Sequence, residues 1–326
     1  MKKIFGYRNI GLVFGLIGLL VLAGIITPSM FTVNTIISML RNNAVYVFLA
    51  VGMMVILITG GIDLSVGSIL ALSGVVCTSL MSSHMEIPTI LWVLLSLLIG
   101  IICGAFNGFV VGYLKVVPMI ATLGTMYIYR GFAFLLSGGN WWFPHQISES
   151  YQAWAAKQIL GVPSILWIAA IVFIAAAWYL NYRTTGRRIY AIGTNVESAK
   201  VSGIKEARIR FLAFVICGAL AGLSGMLYTA NYAMCTYTIG DGYELQAIAI
   251  CILGGVSITG GRGTVDGVLI GWLMMSVITQ FISLLPGLSV WQKALQGAII
   301  IAAVFLNLAM TRSSEKRFLK ERGALL

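Results

Sequence analysis

The chain has 326 residues, of which 59% are hydrophobic and only 10% charged, with a mean hydropathy of +0.96. Water-soluble domains carry about a quarter charged residues, so this composition excludes a surface wetted on every side and requires lipid as solvent. The net charge of +11 raises nucleic acid as a partner, but the placement of the basic residues accounts for it differently.

Met1-Lys2-Lys3 leads into an apolar run that ends at Thr27-Pro28-Ser29. No A-x-A cleavage pattern follows, and the run is long enough to span, so it reads as an uncleaved first crossing over 10–27. Further stretches follow at 43–59, 64–81, 91–112, 118–136, 164–181, 211–231, 244–259, 265–285 and 291–310, ten in all. Basic residues stay on the cytoplasmic side of a membrane. With the N-terminus inside, only Arg41, Lys157 and Lys293 fall outside and Arg130 within a span, leaving the other seventeen of 21 Lys and Arg inside. That asymmetry predicts an even number of spans and explains the basic balance without nucleic acid. The expectation is an all-α integral membrane protein of about ten transmembrane helices, both termini cytoplasmic, forming one domain over residues 1–326.

The first connection of chemical interest is Gly60-Gly61-Ile62-Asp63-Leu64-Ser65-Val66-Gly67-Ser68. Asp63 or Ser65 would cap the following helix, and the glycines permit a tight turn or a close helix approach. The segment is either a plain turn or a re-entrant element beside a path, since broken backbone in a membrane needs protein or a water-filled cavity around it. Gly100, Gly104 and Gly108 recur every four residues, a packing stripe for a neighbouring helix. Asn107 beside them could bond a helix or a polar solute. Residues 137–163, predicted outside, hold Trp141-Trp142-Phe143 and Trp154, which suit an interfacial aromatic belt.

Residues 182–210, predicted inside, hold seven of the basic residues. Within them, Thr194 followed three positions later by Glu197 matches a capping box, and Gly203 can adopt the left-handed conformation that closes a helix. A helix of about two turns over 194–203 is too short to stand alone in water. It is either a solvated turn or a helix that docks into a cytoplasmic partner. Later, Gly254 to Thr264 is glycine-rich without the Lys-Ser/Thr of a phosphate loop. Ile58-Thr59-Gly60-Gly61 also recurs as Ile258-Thr259-Gly260-Gly261, with Gly67 and Gly267 at the same offset, an echo that either chance or an internal repeat could produce.

Absences narrow the class further. No nucleotide-binding G-x-x-x-x-G-K-[ST] occurs, nor H-E-x-x-H or G-x-S-x-G. Asp63, Glu244 and Asp266 fall at predicted span ends, and only Arg130 lies within one, whereas ion-driven carriers keep ionisable groups near the midplane. Five cysteines without C-x-x-C spacing suggest small buried hydrophobes. No catalytic group, metal or cofactor is expected.

Taken together, the motifs resemble the monosaccharide permeases of ATP-binding-cassette importers, the family of ribose, galactofuranose, rhamnose and autoinducer-2 systems. The matching pieces are the Gly60–Ser68 segment, Ile120-Ala121-Thr122-Leu123-Gly124-Thr125, Gly186-Arg187-Arg188-Ile189-Tyr190-Ala191-Ile192-Gly193-Thr194-Asn195, Ser202-Gly203-Ile204 and Ile252-Leu253-Gly254-Gly255-Val256. They run in the family's order across residues 50–300. The resemblance implies a multi-pass permease of the bacterial inner membrane that works as a pair with a second copy or a paralogue. It further implies a cytoplasmic ATPase and a periplasmic or lipid-anchored sugar-binding protein as partners, and alternating access for a small sugar. The coupling helix of that family falls here on 194–203, giving Gly193, Thr194, Asn195, Val196, Glu197, Ala199 and Gly203 as ATPase-coupling residues. Members usually have Ala where this chain has Glu197 and Ser198. Polar residues near lipid need a reason, which makes Asp63, Ser65, Asn107 and Thr122 candidates for the translocation path. The rival expectation is a self-powered carrier or channel for a small polar solute.

Overall fold

The computed structural model describes residues 10–285 together with positions 287, 291, 294, 297, 298 and 301. The predicted tenth span, 291–310, falls almost wholly outside them, as do the basic residues at both ends of the chain.

Each of the other nine predicted spans contains a helix, because long apolar runs must satisfy their backbone internally when no water is present. Six helices are long and apolar enough to cross a bilayer alone. They are α4 (Val66–Ser83), α5 (Thr89–Gly112), α6 (Pro118–Ser137), α8 (Ser164–Tyr182), α11 (Glu206–Tyr232) and α13 (Val265–Leu284). Two others, α2 (Val33–Asn43) and α3 (Val45–Ile58), meet at 45° and together make a seventh, bent crossing. Shorter apolar helices are α1 (Ile10–Ile26) and α12 (Tyr243–Leu253). The eighth predicted span was therefore drawn too long: Gly254 and Gly255 stop α12 at Leu253.

Burial sorts the helices into a core and a coat. Every residue of α3 except Tyr46 is buried, and α4 is buried along most of its length. α11 fills the space between α3, α4 and α5. α5 shows both faces of the arrangement. Leu91, Leu94, Leu98 and Ile102 form an exposed stripe at helical spacing, a surface suited to lipid. The opposite stripe, Gly100, Gly104, Gly108 and Gly112, lies against the backbone of α11 at Gly218, Phe214, Phe211 and Ala207. A Cβ on Gly104 would sit 3.0 Å from the Gly218 Cα. The predicted packing stripe is a helix–helix contact of the small-residue kind.

The connections hold more structure than their hydropathy suggests. Between α6 and α8 lie α7 (Glu149–Ala156) and a two-stranded hairpin, β1 (Gln158–Ile159) with β2 (Val162–Pro163). Between α8 and α11 lie α9 (Thr184–Thr194) and α10 (Val196–Val201). The α11–α12 connection does not stay at the rim. Cys235 pairs in a bridge with Trp142 near the end of α11, but Ile239 reaches Gly74 and Gly240 reaches Gly67 in the first turn of α4. The chain thus descends inside the bundle before α12 begins, and Glu244 lies against Gly67 rather than at the outer edge.

That descent also accounts for Arg130, about 18 Å along α6 from Pro118 at 1.5 Å per residue. Its Nη1 donates to the carbonyls of Tyr237 and Ile239, at 2.7 Å each. Buried carbonyls of a non-helical segment need donors, and the in-span arginine supplies one.

Candidate functional site

The connection between α8 and α11 starts with Arg183 stacked over the Trp178 ring at 4.4 Å. α9 then runs to Thr194, whose hydroxyl donates back to the Tyr190 carbonyl at 2.9 Å. The predicted capping box at Thr194 and Glu197 is therefore not formed. Asn195 is the N-cap instead, its Oδ1 accepting from the Ser198 amide at 2.9 Å. Two overlapping cap patterns were available, and α9's extension to Thr194 leaves that hydroxyl facing its own helix. The far end of α10 matches expectation. Gly203 has φ +78°, its amide donates to Lys200 O, and the Ile204 amide donates to Ala199 O. This double bond pattern is a Schellman closure.

α10 has six residues, below the length at which a helix is stable alone. Ala199 points inward and is buried, while Glu197, Ser198 and Lys200 are exposed and Val201 is 90% exposed. A chain of charges braces it: Lys200 Nζ lies 2.9 Å from Glu197 and 3.4 Å from Glu206, which also receives Arg210 at 2.8 Å. The hydrogen bond from Lys200 to Glu197 holds the ammonium above its ordinary range. Exposed pairs of this kind contribute little each; they set the shape of the knob more than its stability.

The base of the knob is unusually crowded. Gly193 lies directly on the Ile58 carbonyl at the end of α3 and on the Gly261 amide, which themselves hydrogen-bond at 2.9 Å. Gly260 and Gly261 have φ +93° and +72°, and Gly60 has φ +78°. A Cβ on Gly260 would lie 2.9 Å from Gly193 O and 3.0 Å from Gly60 N. Nearby, the Tyr190 hydroxyl donates to Gly263 O at 2.9 Å. The two echoing Ile-Thr-Gly-Gly segments thus meet across Gly193, backbone on backbone.

The four path candidates also converge, around residues 62–65. Asp63 Oδ1 accepts from the Ser65 amide at 2.8 Å and the Ser65 hydroxyl at 2.6 Å. Asn107 Nδ2 donates to Ser65 Oγ at 2.8 Å, and the Tyr129 hydroxyl lies 3.0 Å from Asn107 Oδ1. Thr122 Oγ1 accepts from the Leu64 amide at 3.1 Å and donates to Pro118 O at 2.9 Å. Ser65 stands at the N-cap of α4, but its side chain makes no cap bond; Asp63 organises the turn. All four side chains are fully enclosed. The network pins the loop to α5 and α6, and Asp63 Oδ2 is left enclosed without a hydrogen-bond partner. Tyr129, a member that motif reasoning passed over, carries the network onto α6; only its aromatic hydroxyl in an apolar helix signalled it. Among the described residues no group of three or more His, Cys, Asp or Glu could hold a metal, and all five cysteines are buried and free.

Residues 35–304 match the family described as the permease component of branched-chain amino acid transport systems. Curated relatives include the ribose import permease protein RbsC of Escherichia coli, 37% identical over 298 residues, covering 90% of this chain and 92% of that one. The ribose import permease of Bacillus subtilis is 36% identical over 303 residues, covering 92% of each chain. The autoinducer 2 import system permease protein LsrC of Escherichia coli is 30% identical over 326 residues, covering 99% of this chain and 94% of its own. No solved structure matches.

Proposed function

The chain belongs to this permease family, and from that premise we propose that it is the membrane-spanning subunit of an ATP-binding-cassette importer for a monosaccharide or similar small polar sugar. It works without enzymatic activity of its own, in the inner membrane, with ATP hydrolysis in a partner chain. Ten crossings with both termini cytoplasmic agree with the basic-residue asymmetry and put α9 and α10 on the side of the ATPase. A second copy or paralogue completes the path, and a sugar-binding protein delivers the solute from outside.

The observation that carries this reading is the capped, protruding α10 seated on the Gly193 junction. α10 presents an exposed valine and polar side chains outward, as a docking knob requires. Its base abuts the ends of α3 and of the α12–α13 connection. A push on the knob therefore reaches two elements of the bundle at once, which is the mechanical need of alternating access. Asp63, Ser65, Asn107 and Thr122 then act as a latch that holds the α3–α4 turn during that motion.

The test is uptake in vesicles holding the chain, its ATPase and its binding protein. Ala199→Glu should lower ATP-driven sugar uptake at least about tenfold, because a buried charge without a partner disrupts the knob, while capture by the binding protein is unchanged. Normal uptake in that variant counts against the docking assignment. Transport by vesicles lacking the ATPase, and sensitive to ion gradients, would favour the self-powered carrier instead.

A further inference from the structure

Where the α11–α12 connection descends into the bundle it borders a cleft of about 360 Å³, within the range of roughly 300–1,000 Å³ typical of small-molecule sites. Its walls include Trp141, Tyr228, Thr236, Thr238, Asp241 and Tyr243. We propose that this cleft is a subsite for a neutral polyhydroxylated ring, an aldose of five or six carbons, on its way through the permease. The proposal rests on the permease reading and gives it a place and a ligand chemistry.

The rings are held in fixed orientations. Tyr243 packs on Tyr46 with centroids 4.5 Å apart, and Tyr228 lies 4.7 Å from Tyr232 and 6.0 Å from Tyr243. Flat aromatic faces suit the C–H faces of a sugar. The polar groups complete the match. Asp241 and Thr238 are exposed at the cleft, and the buried Thr236 hydroxyl has no hydrogen-bond partner. A carboxylate and hydroxyls accept from sugar hydroxyls and fix their orientation. The floor is held by Arg130, which occupies the carbonyls of Tyr237 and Ile239. Its charge also acts on Asp241 and Glu244, so one guanidinium stands near two carboxylates.

The same residues disfavour other ligands. An apolar solute would leave Asp241 and Thr236 desolvated without compensation. A carboxylate-bearing solute, such as an amino acid, would bring a third negative charge towards Asp241 and Glu244, which face only the single guanidinium of Arg130. The location also fits a path. One end of the segment is bridged to Trp142 and the other touches Gly67 of α4, so the cleft follows a strand of chain that leads from the rim to the interior.

The experiment uses thiol protection in the intact transporter, with permease, ATPase and binding protein. Because the five native cysteines are buried, Thr238→Cys supplies the one exposed thiol among the described residues. A charged methanethiosulfonate reagent should modify it, and D-ribose at about nine times its dissociation constant should slow that modification about tenfold. L-leucine should not. Equal protection by L-leucine overturns the polyol assignment, and protection by neither overturns the subsite. In parallel, with Thr238 intact, Asp241→Asn and Tyr228→Ala should raise the half-saturating sugar concentration about tenfold, with Tyr228→Phe close to the parent chain. Unchanged half-saturation in both variants overturns the proposal even if Thr238→Cys fails to fold. Failure of the permease reading looks different: the unaltered chain would then show no ATP-driven uptake at all.

Discussion

At Gly193 and Gly203 the same residue type answers two different physical demands. Gly203 has open space around its Cα and a φ of +78°, so Gly203→Ala adds only the backbone cost of a left-handed residue, about 1–2 kcal/mol. Thermal unfolding in detergent should show that modest loss with transport largely kept. Gly193 has an ordinary φ, but a Cβ there would fall on the Ile58 carbonyl and the Gly261 amide. Backbone cannot rotate aside as a side chain can, so Gly193→Ala must separate α9 from α3. Uptake should drop at least about tenfold, with overpacking worth about 1–3 kcal/mol against folding, read by transport and melting together. Arg130→Met provides a third contrast. It removes the donor from two carbonyls, each orphaned buried acceptor costs about 1–3 kcal/mol, and melting should fall accordingly.

Elements differ in how much of them hydropathy reveals. α4, α5, α6, α8, α11 and α13 lie close to their predicted ranges, because lipid leaves an apolar run few alternatives to helix. The stripe at Gly100, Gly104 and Gly108 was equally legible, since spacing alone places it on one face. Gly104→Leu should therefore pry α5 from α11 and lower thermal stability sharply. Gly124→Ala on α6, where a Cβ meets nothing within 4 Å, should change it by no more than about 0.5 kcal/mol, as the same melting assay would show. α9 was missed because Thr184–Thr194 carries two arginines and two glycines and offers no apolar run. The cap was misassigned by one residue, because both Thr194 and Asn195 are good N-cap types and only the course of α9 decides between them. The descending segment 233–242 falls between two predicted spans, since a polar, glycine-bearing stretch has the hydropathy of a surface loop. Its return into the bundle depends on a donor from α6, Arg130, more than a hundred positions earlier in the chain. Polarity singled out the four path candidates one by one, but their mutual bonding depends on the register of α5 and α6 against the 62–65 turn.

For the whole molecule, the buried α3 acts as an axle among α11, α12, α8 and α13, and its end at Ile58 coincides with the base of the α10 knob. Soft side-chain contacts absorb small displacements by changing rotamer. Main chain resting on main chain has no such give. In the proposed coupling role, a tilt of α10 therefore arrives undamped where Gly193 meets Ile58 and Gly261, and the stroke of the motor and the swing of the gate should keep a fixed ratio. A bulkier residue at that point would act like grit between gear teeth, spoiling the ratio before it spoiled the parts.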